Sequence, residues 1–525
     1  MSGKAWYAAL GVAAVLALTQ GTAAKTLKWA NDGDVSSMDP YFLNESFLLG
    51  FLGNVYEPLV TRGKEQELEP ALALSWEQTS PTVWRFHLRP DVKFADGSPF
   101  SADDALFSFD RARAEGSDMK GYLATVKEVK KIDPLTIEIA TALPNPLLPS
   151  DLAFVYIMSK SWAEKNDAVK VASVQKKEEN YATRHTDGTG AFMVTAREPD
   201  VKTTAAPNPN WWGKPEHDLA EIDFSVIKSD ATRVAALLSG EVDMVYTVPI
   251  QDVERINSTP HRKVLQGPEM RTIFLGMDQW RDELIDSDVK GKNPFKDVRV
   301  RKAFYQAIDE DSIVKKVMRG AATSTGLMVA PSVNGWDKEL NARFPYDPEA
   351  SKRLLAEAGY ANGFTLGMNC PNDRYVNDEQ ICQAVVAMLA RVGVKVNLLA
   401  ETKSKYFAKI LARNTSFYLL GWTPATYDAQ NAMFNLMATP NDAGRGKFNL
   451  GKYSNQHFDE LTTLVTSESD PKKRNAEIHE AFKIHKDEFG HIPLHQQALA
   501  WGIKDNVHLI QRPDNIFVWN WVKLD

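Results

Sequence analysis

Apolar residues recur at helical spacing in some stretches of the chain and run together or alternate in others. Behind Ser101, with Asp104 three residues on, Leu106, Phe109 and Ala112 fall three apart, which predicts a helix capped at Ser101. Asp347-Pro348-Glu349 supplies a cap, a first-turn proline and an acid. Leu354, Leu355 and Ala358 follow, and Gly359 stops that helix. Asp378 opens a third helix, with Ile381, Val385 and Leu389 stacked four apart before Gly393, and Val300, Ala303, Phe304, Ala307 and Ile308 mark a fourth. Residues 82–88 alternate between Pro81 and Pro90; 364–369, 394–399 and 416–421 read as strands, the last ending in Gly-Trp. Helix, glycine, strand in that order predicts βαβ units in a mixed α/β protein, with ligands near the C-terminal ends of strands. Residues 176–189 and 282–293 are polar and read as linkers, and 208–213 as a turn.

A chain of 525 residues is too long for one hydrophobic core, so two or more domains are expected. At the N-terminus Lys4 precedes a short apolar run over 6–18, and Gly21, Thr22, Ala23 and Ala24 supply small residues for signal peptidase. That predicts a cleaved signal peptide over 1–24 and a mature protein beginning near Lys25, soluble in a bacterial periplasm. No cysteine stands there to carry a lipid anchor. Removing 1–24 takes away one Lys and no acid, so 60 basic against 68 acidic residues leaves −8, which argues against a nucleic-acid or anionic-membrane partner. Two cysteines, Cys370 and Cys382, are expected to pair in an oxidising compartment, the alternative being two buried thiols.

Catalytic motifs are missing. There is no Gly-x-Ser-x-Gly elbow, no phosphate loop beyond the poor imitation at 444–448, and no His-Glu-x-x-His. His479 and His485 stand six apart, on different faces of a helix, so one zinc cannot take both. With His491 and His495 they read as surface or satisfied histidines. No catalytic residue, metal site or cofactor is expected.

Several blocks, in order along nearly the whole mature chain, resemble family 5 of the extracytoplasmic solute-binding proteins, the dipeptide, oligopeptide and nickel group of ABC transporters. They include Met38-Asp39-Pro40, Leu74-Ser75-Trp76-Glu77, the long segment 86–100 with Asp96-Gly97, Gly188-Thr189-Gly190-Ala191-Phe192, Asn293-Pro294-Phe295 running to Arg299 and Arg301, Arg374-Tyr375, Gly421-Trp422 and Ile492-Pro493-Leu494. The resemblance implies a periplasmic-binding-protein-like α/β fold of the class II, three-domain type: two lobes, a hinge and an inserted domain. Domain I would comprise 25–66, 190–277 and 493–525, domain II 67–189, and domain III 278–492. Ligand would lie between domains I and III, with chain crossings near 271–278 and 492–501 as hinge. Most of the blocks read as scaffold; Arg299 and Arg301 suit structural ion pairs or caps.

The resemblance also implies site residues. Arg374 matches the position from which dipeptide binders reach the ligand carboxylate, or else pairs with Asp373, Asp378 or Glu379. After Gly421, Trp422 and Thr423 those binders place an Asp on the ligand's ammonium, because a buried cation needs an anionic partner. Ala425 stands there instead. Asp428 either substitutes or serves as a turn or cap residue. Trp422, Tyr427 and Phe47, the last in the loop after the first strand, offer aromatic faces, while Trp76, Trp84, Trp501, Trp519 and Trp521 read as core. A monomer that takes up a peptide or peptide-like molecule and hands it to an inner-membrane ABC permease is the first reading. A non-peptide ligand (oligosaccharide, opine-like or acidic compound, metal chelate) is the second. A hydrolase and a chaperone-like binder trail them.

Overall fold

A computed structural model describes residues 25–424 and 426–525. The expected signal peptide and Ala425 lie outside the described residues. The backbone is organised around an eleven-stranded mixed sheet and a separate four-stranded antiparallel sheet built from Ala73–Ser80, Val83–Leu88, Thr136–Thr141 and Val126–Asp133. The predicted βαβ unit is present. Phe364–Pro371 and Val394–Glu401 pair in parallel along eight residues, and the helix Asp378–Ala390 between them buries Ile381, Cys382, Val385 and Leu389. Gly393 enters the second strand at φ +90°, a conformation that suits glycine. Cys370 and Cys382 are joined by a disulfide, with Cα atoms 6.6 Å apart, so the helix is tied to the strand before it.

In the large sheet, one half carries Val394–Glu401, Phe364–Pro371 and Phe417–Trp422; the other carries Met244–Tyr246, Lys25–Asn31, Leu219–Val226, Lys202–Pro207 and Phe192–Glu198. Two long antiparallel strands, Arg262–Met277 and Ile492–Lys504, stand between the halves and belong to both. Their register breaks where Pro268 pairs with Ala498 and Thr272 with Gln496. Glu269, Met270 and Arg271 thus face the single residue Gln497 across a β-bulge. Separate apolar cores flank the break. One gathers Trp29, Phe47, Phe224, Tyr246, Trp501 and Trp519; the other gathers Phe295, Phe304, Phe364, Phe417 and the buried face of helix 378–390.

Local capping follows the sequence. Ser101 and Asp104 form a reciprocal capping box on helix Ala102–Arg113, and Asp347 caps Pro348–Glu357 through the Ala350 N–H. Asp96-Gly97 makes a tight turn, with Gly97 at φ +89°. Of the tryptophans read as core, Trp501 and Trp519 are buried, whereas Trp76, Trp84 and Trp521 are half-buried. The first two of those three lie on the four-stranded sheet and pack against the main core from its edge. Arg299 pairs with Asp297 of its own helix cap, and Arg301 donates to the Glu488 and Phe295 carbonyls, both structural roles.

Candidate functional site

The crevice between the two halves of the sheet concentrates buried charge. Helix Ser46–Leu52 follows the first strand, and Glu45 caps it, accepting from Phe47 N at 3.2 Å and Leu48 N at 2.9 Å. From the opposite side Arg374, in the loop after strand Phe364–Pro371, brings its Nη2 to 2.7 Å from the Glu45 carboxylate. Burial alone would raise the Glu45 pKa; Arg374, Lys403 and the two helix N–H groups override it and hold it at about 2. Burial likewise works against the Arg374 charge, but Glu45 and further groups, Glu269 among them, raise its pKa above the usual arginine value. Both partners therefore stay ionised in a site nearly closed to solvent.

The bulge adds a second pair. Residues 269 and 271 flank Met270, and Arg271 Nη2 lies 3.2 Å from the Glu269 carboxylate, both side chains almost completely buried. Arg271 also donates from Nε to Thr423 Oγ1 at 3.3 Å. The Tyr375 ring has the Arg374 guanidinium 4.9 Å and the Arg271 guanidinium 5.7 Å from its centroid. Gly421 is needed beside this stack, because a Cβ there would come within 2.8–2.9 Å of Tyr375, Arg271 and Ile273. Asn31, Asp32, Phe47, Tyr246, Arg271, Arg374 and Gln497 are among the residues around a small cavity of about 20 Å³. Burial raises the Asp32 pKa, with Arg233 and Lys403 acting against it.

Several expectations change at this point. Arg374 does pair with a carboxylate, but with Glu45 from the far half of the sheet. Asp373 accepts from the Lys403 N–H, Asp378 accepts the N–H groups of Arg374 and Tyr375, and Glu379 takes Gln383. Phe47 sits in a helix, and its ring packs on Trp29 and Tyr246 with Lys403 4.9 Å from its centroid. Asp428 has no free lone pair to offer a ligand. It caps a short helix through Gln430 N, takes both Arg474 Nη atoms at 2.6 Å and receives Asn334 Nδ2 at 2.9 Å. Trp422 gives its N–H to Asn431 and packs against Phe448, a core placement. Tyr427, at φ +59°, reaches Gln66 with its hydroxyl while Arg62 covers its ring 4.7 Å from the centroid.

Glu45, Glu269, Arg271 and Gln497 were missed as site residues. The signal for two of them was available: Glu269 and Arg271 interrupt an apolar strand two residues apart, and two charges on one face of a buried strand must answer to each other or to a ligand.

The sequence model of bacterial extracellular solute-binding proteins, family 5 (middle region), matches residues 67–444, well over half of the chain. The chain belongs to this family. Family 5 proteins are soluble and periplasmic, bind small molecules and work with ABC permeases; they are solute-binding proteins and not enzymes. Similar family members include heme-binding protein A of Haemophilus influenzae, 28% identical over 434 residues that cover 78% of this chain and 75% of that one. The dipeptide-binding protein of Escherichia coli K12 is 26% identical over 486 residues, 86% of this chain and 85% of its own. In fold, the chain matches the ABC-transporter-associated periplasmic binding protein DppA from Helicobacter pylori in complex with peptide STSA. That match has a TM-score of 0.85 and 24% identity and covers 95% of this chain and 98% of the other. No helix among the described residues is long and apolar enough to cross a membrane.

Proposed function

We propose that this family 5 protein is a periplasmic receptor, cleaved after its leader, that captures a peptide or peptide-like ligand in the crevice described above and passes it to an ABC importer. The crevice would lie between domain I (25–66, 190–277 and 493–525) and domain III (278–492), with 67–189 an inserted domain. The observation that carries this reading is the Arg374–Glu45 pair, which spans the crevice at 2.7 Å. A guanidinium held in a nearly water-free cleft, with its Nε still without a hydrogen-bond partner among the described residues, is suited to a ligand carboxylate. Among the described residues, two strands connect the two halves of the sheet, and few crossings permit rigid-body opening.

A second reading keeps the fold and changes the ligand to a non-peptide. Ala425, in place of the amine-holding Asp, favours it, as does the similarity to a heme-binding protein. Native mass spectrometry of the protein purified from periplasm, followed by denaturing release, separates the two. A released di- or tripeptide supports the first reading; a haem, sugar, chelate or acidic metabolite supports the second. Arg374→Ala is expected to weaken binding of the released molecule by at least about 100-fold, the scale of a lost buried charge contact. Unchanged affinity would remove Arg374 from the site.

A further inference from the structure

The bulge leaves a negative charge without hydrogen bonds. The Glu269 side chain is fully buried, yet neither carboxylate oxygen accepts a hydrogen bond from a described protein group. Its ion-pair partner Arg271 sits at 3.2 Å and has turned its Nε to Thr423, while Arg374 acts on it from farther off. Across the bulge, the Gln497 side-chain oxygen is also buried without a donor, and Gln497 lines the 20 Å³ cavity together with Arg271, Arg374 and Tyr246. A buried carboxylate without donors is costly, and native structures keep few of them. Nearby the imbalance is reversed: Arg374 Nε is a buried donor without an acceptor. One crevice therefore holds unmatched acceptors on the hinge strands and an unmatched donor on the opposite lip.

Building on the binding-protein reading above, we propose that Glu269, with the Gln497 carbonyl oxygen, is the seat of a cationic amino group of the ligand. The free Arg374 Nε takes the ligand's anionic group. An ammonium has three N–H donors and roughly the size of a water, which suits the unpartnered Glu269 and Gln497 side-chain oxygens, the second of which belongs to a residue lining the cavity. The preferred ligand is then amphoteric, with amine and acid recognised from opposite walls. The amine anchor has moved from the Gly-Trp loop, where Ala425 now stands, to the bulged strand. Because the bulge also lies where the two halves of the sheet join, a ligand bound there touches both, so binding and closure are coupled. Asp32 and Asp373 are the acids that line the cavity itself; Glu269 reaches it through its neighbour Arg271. Asp373 is engaged by the Lys403 N–H, which leaves Asp32 as the rival seat.

The experiment compares unblocked dipeptides with their N-acetylated forms, by calorimetry, on the mature protein refolded free of bound ligand. In the wild type, acetylation is expected to weaken binding by at least about 100-fold, as removal of one partner of a buried ion pair would. In Glu269→Gln that discrimination should fall below tenfold, while Asp32→Asn retains it. The double variant Glu269→Gln/Arg271→Gln, which keeps the cluster neutral, guards against misfolding of the single one and should behave the same way. Equal binding of blocked and free forms by the wild type overturns the proposal, as does discrimination that survives Glu269→Gln or is lost only in Asp32→Asn. If the wild type binds neither form, the peptide reading fails by itself, and the released native molecule decides the amine seat. A molecule with a cationic nitrogen, recovered from wild type and not from Glu269→Gln, upholds it. A molecule without one, recovery from both proteins, or no molecule at all overturns it.

Discussion

Asp39 lies under Arg111 with no exposure to solvent, its two oxygens 2.7 and 2.5 Å from the guanidinium nitrogens. The Met38-Asp39-Pro40 block reads in sequence as a turn after the first strand; in the fold that turn is anchored to helix Ala102–Arg113. Arg111→Ala leaves a buried carboxylate alone and is expected to lower stability by about 3–5 kcal/mol in chemical denaturation. The histidine-rich tail is a second case. His485 Nε2 and His491 Nδ1 lie 2.9 Å apart in the core. Burial pushes His491 down to about 3 and, with its neighbour, His485 well below the ordinary value. Both are neutral in the fold and bind protons only in the unfolded chain as pH falls from about 6.5 toward 3, so their contribution to stability shrinks on acidification across that window. Asp151, Asp187 and Asp378, raised by burial to about 7, act in the opposite sense. A comparison with His485→Gln/His491→Gln isolates the histidines. The wild-type advantage should narrow by up to about 1.4 kcal/mol per pH unit per histidine below pH 6.5; parallel pH curves would show that the pair stays uncoupled from folding.

At the scale of elements, the βαβ unit 364–401 shows how local signals and a crosslink combine. The helix has acids in its first turn and an apolar stripe, and Cys382 on that stripe meets Cys370 near the end of the preceding strand. The bond closes a separation of 12 residues, a constraint worth about 3 kcal/mol on the unfolded chain in the entropy model. Cys370→Ser/Cys382→Ser is expected to lower stability by about that amount under oxidising conditions, with little difference from wild type once reductant is present. The Asp378 carboxylate also holds the N–H groups of Arg374 and Tyr375, so this helix fixes the loop that carries Arg374 into the crevice.

For the whole molecule, the proposed closure would depend on contacts that span the crevice. Besides Arg374–Glu45, Arg62 donates to the Thr426 carbonyl at 2.9 Å, Tyr427 meets Gln66, and Lys403 lies over Phe47. If the halves open as proposed, such contacts would be lost and would set the balance between open and closed forms. Glu45→Gln should raise the ligand-free radius of gyration in small-angle X-ray scattering. It should also weaken apparent affinity for the released native molecule about tenfold, the equivalent of about 1.4 kcal/mol withdrawn from closure. An unchanged radius together with unchanged affinity would show that the pair adds nothing to closing.

The sequence by itself determined the elements and the family. Spacing of Leu106, Phe109 and Ala112, the Ser101 and Asp347 caps, and glycines at Gly97 and Gly393 are local features, and local dihedral and capping preferences do not depend on the rest of the chain. Only the tertiary structure decided the site. Arg374 and Glu45 are 329 positions apart, and Glu269 faces Gln497 across a bulge between strands more than 200 residues distant in the chain. Asp428 looked available until Arg474, 46 residues on, took both its oxygens. Which charge answers which is a matter of distance and burial, and both are properties of the packed chain, absent from the order of its residues.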